Sequence, residues 1–186
     1  MSPHIPRISF SPVFFLLLAP HSPAAALGSD VKVEYYDVRG ADINSVTASM
    51  MSGREFAGRT YWNLSYEYNA RSQPGGCKAD SVMTKLELRM SLPRWTPPAG
   101  VSGDMVDRWQ RFIAALQLHE EGHLENAKNL ERSARGALLA VSAPDCGALN
   151  AALRARFDQV LERGRAEDRD YDQRTGHGKT QGATLR

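Results

Sequence analysis

The pentad His119-Glu120-Glu121-Gly122-His123 lies in a stretch with helical apolar spacing, and it constrains the chain more than any other feature. Residues four apart project from one face of an α-helix, so the two imidazoles reach a common point only if this stretch is helical. Glu120 stands beside the first of them, where a carboxylate can take a proton from a polarised water. The pattern predicts His119 and His123 as metal ligands, Glu120 as the catalytic base and Zn²⁺ as the metal. The opposing interpretation is a surface helix with two solvated histidines. Neighbouring periodicity argues against it: Val106, Trp109, Ile113 and Leu116 form an apolar stripe, with Phe112 at its edge. Continued along the helix, that stripe turns Glu120 and His123 toward the interior.

This helix should begin near Ser102 to Asp104, after the rigid connector Thr96-Pro97-Pro98-Ala99-Gly100, and stop before Pro144-Asp145-Cys146-Gly147. It is expected to reach about Val141, with an interruption at Gly136. Gly122 costs about 1 kcal/mol relative to Ala in a helix interior, which predicts a close contact at that point. Upstream, alternation over Val31 to Val38 marks a strand, and Asp42 caps a short helix carrying Ile43, Val46, Met50 and Met51. Thr60 to Tyr68 and Val82 to Leu92 alternate on either side of turn residues and should form an antiparallel hairpin. The row Trp62, Leu64, Tyr66 and Tyr68 is expected to pack against a helix rather than line a ligand groove. Leu149, Leu153, Phe157, Val160 and Leu161 mark a second C-terminal helix. From Gly164 onward charge and glycine dominate, and composition alone gives a disordered tail. The expected class is α+β and zincin-like: a small antiparallel sheet packed against the motif-bearing helix and a second C-terminal helix.

The N-terminus has the pattern of a signal peptide, with Arg7, the apolar run Val13 to Ala19 and small residues up to Gly28. Cleavage after Ala26 or after Gly28 both suit it, so residues 1–28 are assigned to the signal and 29–186 to one metallopeptidase domain. The run is too short to span a bilayer, where about 20 apolar residues are needed, so no stable membrane insertion is expected after cleavage. Export to the periplasm or outside the cell puts Cys77 and Cys146 in an oxidising compartment, where they should pair. A formal charge of +2 without clustered Lys and Arg gives no phosphate-binding surface, and nucleic acid is excluded as a partner. The expected partner is a protein or peptide substrate.

Two histidines do not complete a catalytic zinc site, which uses three protein ligands and leaves a fourth position open. Asn126 and Asn129 stand where the extended metzincin pattern needs Gly and His. Ser142 and Ala143 occupy the region where a gluzincin has its Glu. His177, the remaining histidine of the mature chain, is the first candidate for the third ligand, with Asp172 and Glu162 also open. Tyr171 could hydrogen-bond a developing oxyanion.

Five segments together carry a resemblance: Tyr35-Tyr36-Asp37-Val38-x-Gly40, Cys77 ahead of the long strand, Leu92-Pro93-Arg94-Trp95, the His119 to His123 motif, and Tyr171-Asp172-x-x-Thr175-x-His177-Gly178-x-Thr180-Gln181-Gly182. In these the chain resembles a bacterial family of secreted zinc-dependent proteases catalogued as a domain of unknown function. The likeness covers essentially the whole mature chain. It implies that His119, Glu120, His123 and His177 belong to a zinc site and that the C-terminal segment is part of the domain. Two other functions fit the same residues: an envelope binding or scaffolding module with a structural or vestigial metal site, and a metal-dependent amidase of cell-wall peptides.

Overall fold

A computed structural model describes residues 31–186, so the expected signal segment and its cleavage lie outside the described residues. The chain runs β1 (Val31–Val38), α1 (Ile43–Met51), β2 (Arg59–Gln73), β3 (Gly76–Trp95), α2 (Gly103–Leu139), β4 (Ser142–Ala143) and α3 (Cys146–Thr175), then a 3₁₀ turn at Lys179–Gln181. It is an α+β arrangement of a small sheet and three helices.

β3 is the spine of the sheet, with β1 on one side, β2 on the other, and β4 added near its start. β2 and β3 form the expected antiparallel hairpin, from Arg59 opposite Ser91 to Gln73 opposite Gly76, with one register shift at Asn69/Ala70. β1, however, runs parallel to β3, pairing Val31 with Leu88 and Val38 with Trp95. The sheet is therefore mixed and not antiparallel. Alternation of side chains identifies the buried face of a strand but is the same for either direction of its neighbour.

Local signals set the helix starts. Asp42 accepts from Ser45 N at 2.9 Å in a reciprocal capping box, Ser102 accepts from Met105 N at 3.3 Å, and Asp145 accepts from Ala148 N at 2.8 Å. α2 passes through Gly136 without interruption to Leu139. Its stripe centres on Met105, Trp109, Phe112 and Leu116, so Phe112 is a core residue and not an edge residue. Trp109 meets Trp95 and Phe112, each with ring centroids 5.5 Å apart, above the buried Met90 and Leu92 of β3. Farther along α2, Leu130 and Ala134 meet Leu64 and Val160, and Cys77, disulfide-bonded to Cys146, belongs to a third cluster with Leu138, Leu149 and Leu153.

The segment beyond Gly164 is not a disordered tail: α3 continues through it to Thr175. Gly164 allows this by bringing α3 against α2, since a Cβ there would overlap Leu130 Cδ2 and stand 3.1 Å from Cδ1. Past that contact, polar side chains replace apolar ones on both facing surfaces, and composition registers the change of chemistry without registering the packing.

Candidate metal centre

His119 and His123 leave α2 toward the last two turns of α3, whose facing stripe is Asp168, Tyr171, Asp172 and Thr175, spaced i, i+3, i+4 and i+7. The side chains converge on Asp172. Its Oδ1 lies 3.2 Å from His119 Nε2 and 3.1 Å from His123 Nε2. Donor atoms of His119, His123 and Asp172 all fall within 4.8 Å of one another, and this trio could hold a metal ion. Ligand atoms each about 2.0–2.1 Å from a tetrahedral zinc lie about 3.3 Å apart, which these separations match.

The other ring nitrogens are held from behind. His119 Nδ1 lies 3.0 Å from Gln181 Oε1, and His123 Nδ1 lies 3.0 Å from Asp168 Oδ1. Protons assigned to both Nδ1 atoms satisfy these acceptors and leave both Nε2 lone pairs facing Asp172. Three electron pairs then converge with no hydrogen between them, an arrangement that a shared cation resolves. A carboxylate or amide oxygen behind each imidazole is also how metal-binding histidines are oriented.

Asp168 is itself fixed, accepting from Trp62 Nε1 at 2.7 Å and from Asn126 Nδ2 at 3.3 Å. Burial raises its pKa, but the bonds from His123 and Trp62 outweigh burial and hold the carboxyl below the usual range. Burial lowers His123, but Asp168 and Asp172 more than offset it and place its pKa above the ordinary value. His119 is pulled below, chiefly by burial, although Gln181 and Asp172 oppose it.

Glu120 is 3% exposed, and its Oε2 accepts from the Thr60 hydroxyl at 2.8 Å. Burial pushes its pKa up, with the Thr60 bond acting in the opposite direction. Its Oε1 lies beneath Gly58, where an added Cβ would come within 2.5 Å. Glu120 is thus clasped between α2 and the entry to β2. The cleft above it, about 230 Å³, is lined by His119, His123, Asp172, Thr60 and the Phe56–Arg59 segment, with Phe112 and Leu116 as its apolar floor.

His177 stands at the rim. It is outside the three-residue cluster, its side chain is 51% exposed, its Nδ1 is 3.4 Å from Asp172 Oδ1, and its ring lies 5.0 Å from that of Phe56. Its φ of 53° is left-handed, between Gly176 and Gly178, which are left-handed too. Gly178 has little room for a side chain, since a Cβ would stand 3.0 Å from His119 Cγ. Glu162 is on the exposed side of α3, 3.0 Å from Arg169, and takes no part in the cluster.

Tyr171 packs behind the histidines and does not line the cleft. Its ring stacks on His119 with centroids 5.1 Å apart and meets His123 edge-on at 4.9 Å. Its hydroxyl donates to His119 C=O at 3.3 Å and accepts from Gln181 Nε2 at 3.1 Å. That ring is the close contact expected at Gly122, where a Cβ would overlap the phenol oxygen. Sequence reasoning missed Asp168, Thr60, Gln181 and Gly58. Helical spacing in the charged segment would have put Asp168 on the face of Asp172; Thr60 and Gly58 carry no such signal, because their partner Glu120 is far along the chain, 60 residues beyond Thr60.

Fold and site together define an α+β protein whose two longest helices bring a His-His-Asp cluster, a possible metal site, against a buried glutamate. Residues 33–178 match the family described as bacterial protein of unknown function (DUF922), and the chain belongs to that family. No curated protein and no solved structure matches the chain. The family's description assigns no activity.

Proposed function

We propose that this chain is an exported, zincin-like metallopeptidase that binds zinc through His119, His123 and Asp172. The observation that carries this reading is the buried Glu120 carboxylate beside three convergent donor atoms, at the floor of an open cleft. A bound zinc would supply Lewis-acid polarisation of the attacking water and of the scissile carbonyl. Glu120 accepts the water's proton and passes it to the leaving amine, a role suited to a carboxyl whose pKa burial has raised. Thr60 holds one carboxylate oxygen so that Oε1 keeps a single orientation. Asp168 and Gln181 orient the imidazoles, and Phe112 and Leu116 exclude water from the floor. β2 is an edge strand of the sheet, and its entry lines the cleft, which suits capture of an extended peptide through backbone hydrogen bonds. The Cys77–Cys146 disulfide supports export, since structural disulfides persist in oxidising compartments.

Glu120→Gln keeps the shape and the acceptor for Thr60 but removes the base. It should retain zinc at the parent's stoichiometry and lose casein hydrolysis by a factor of about 100 or more. Cleavage at the parent's rate would sink the assignment.

A further inference from the structure

Beside the metal cleft, on the other side of the segment that enters β2, lies a recess of about 370 Å³ lined in part by Tyr36, Arg54, Glu55, Arg59, Tyr61 and Ser91. It shares Phe56, Ala57, Gly58 and Arg59 with the cleft, so the two are neighbours across one stretch of backbone. Tyr36 anchors that stretch by donating its hydroxyl to Ala57 C=O at 2.6 Å.

Two guanidinium groups stand in this recess on tyrosine faces. Arg54 Cζ is 3.7 Å from the Tyr36 ring centroid, and Arg59 Cζ is 5.0 Å from that of Tyr61. Stacking holds a guanidinium plane while leaving the N–H groups at its rim free to donate. Among the described residues, neither arginine makes an ion pair. Glu55, the one acidic residue in the recess lining, is exposed and bonded to neither, so two positive charges face one negative charge. The metal cleft is richer in acidic groups, with Glu120, Asp168 and Asp172 in its lining beside the shared Arg59.

We propose that Arg54 and Arg59 form a carboxylate-binding subsite that selects acidic peptides and sets their register across the metal centre. This rests on the peptidase reading and adds a substrate class to it. Alternation along β2 directs Thr60 toward the helices and Glu120, while Arg59 and Tyr61 lie on the outer face of the sheet. A peptide extended along this edge alternates in the same way. When one residue faces the helix side at the cleft, its neighbours project onto the outer face beside Arg59, with Arg54 farther across the same recess. The arginines attract an acidic side chain that projects to the outer face, so the register that places one there is favoured.

The test uses the full mature chain loaded with zinc and matched peptides carrying Glu or Gln beside the cleaved bond, each with a free or an amidated C-terminus. Hydrolysis gives kcat/KM, and fluorescence anisotropy on the Glu120→Gln protein gives binding without turnover. Glu peptides should bind about tenfold tighter than Gln peptides at low salt, the size of one charge-assisted contact, and the advantage should shrink as salt screens it. Arg54→Gln and Arg59→Gln, both at exposed positions, should each remove most of that advantage, and Glu55→Gln should enlarge it. An advantage that follows the free C-terminus instead identifies a terminal carboxylate as the bound group. Equal binding of all four peptides, with hydrolysis intact, overturns the subsite. Charge-selective binding without hydrolysis of any peptide supports the subsite and overturns the peptidase reading.

Discussion

Replacing Gly122 by Ala sets two opposed effects against each other. Helix propensity favours Ala over Gly by about 1 kcal/mol in a helix interior. Against this, the new Cβ would overlap the Tyr171 hydroxyl and stand 2.8 Å from Cε1, closer than side chains pack. Tyr171 moves aside only at a cost, because it is stacked on His119 and its hydroxyl bonds both His119 C=O and Gln181 Nε2. Overpacking of this kind costs about 1–3 kcal/mol, and weakening two hydrogen bonds adds about 1 kcal/mol. The net expectation is a loss of about 2 kcal/mol, or about 4–8 °C in Tm for a domain of this size. Gly136 in the same helix is the control, since nothing lies within 4 Å of the position its Cβ would take. Gly136→Ala should therefore gain about 1 kcal/mol. Both variants are compared by urea unfolding in EDTA, which removes any contribution from metal, and zinc affinity is then measured separately. Gly122→Ala should also bind zinc more weakly, since displacing Tyr171 releases the ring that backs His119. If Gly122→Ala proves as stable as Gly136→Ala, Tyr171 does not occupy this seat, and α3 does not dock at the His119–His123 pair in this way.

The third ligand is tested by zinc affinity. Asp172→Ala should lose more than about 100-fold, beyond the 10- to 100-fold typical of an outer partner, whereas His177→Ala should stay within that smaller range; the reverse order would make His177 the ligand. Zinc affinity should rise with pH as His123 gives up its proton. Its pKa lies above the ordinary histidine value, so affinity measured with a competing chelator should fall as the pH is lowered from the alkaline side toward that ordinary value; a profile flat over that range refutes the raised pKa. Cys77→Ser with Cys146→Ser opens a connection spanning 69 positions in sequence and should cost about 4 kcal/mol in the chain-entropy model, seen as a lower urea midpoint. An unchanged midpoint would mean that the unfolded chain gains nothing from the cut.

Several features of this protein follow from local sequence alone. The limits of β1, the Asp42 and Ser102 caps, and the helical setting of His119 and His123 depend on residues within a few positions of one another. The Gly122 contact was legible as well, as a helix position whose low propensity calls for a reason. Other features required the tertiary structure, because they depend on partners far apart along the chain. β1 lies parallel to β3 by virtue of the side of the spine on which it docks, which alternation does not encode. The charged stretch after Gly164 is helical because it seats Asp168, Tyr171, Asp172 and Thr175 against α2. Composition counts those residues as solvated, whereas the fold supplies them with buried partners. Sequence could nominate His177, Asp172 or Glu162 beside the two histidines. Where the donor atoms of Asp172 and Glu162 fall depends on their angular positions on α3, fixed by the contacts of Gly164 with Leu130 and of Tyr171 with Gly122, while His177 lies past the end of that helix in a left-handed turn. Spacing along one helix determines an i, i+4 pair, but a third donor from another helix is positioned only by the packing of the two.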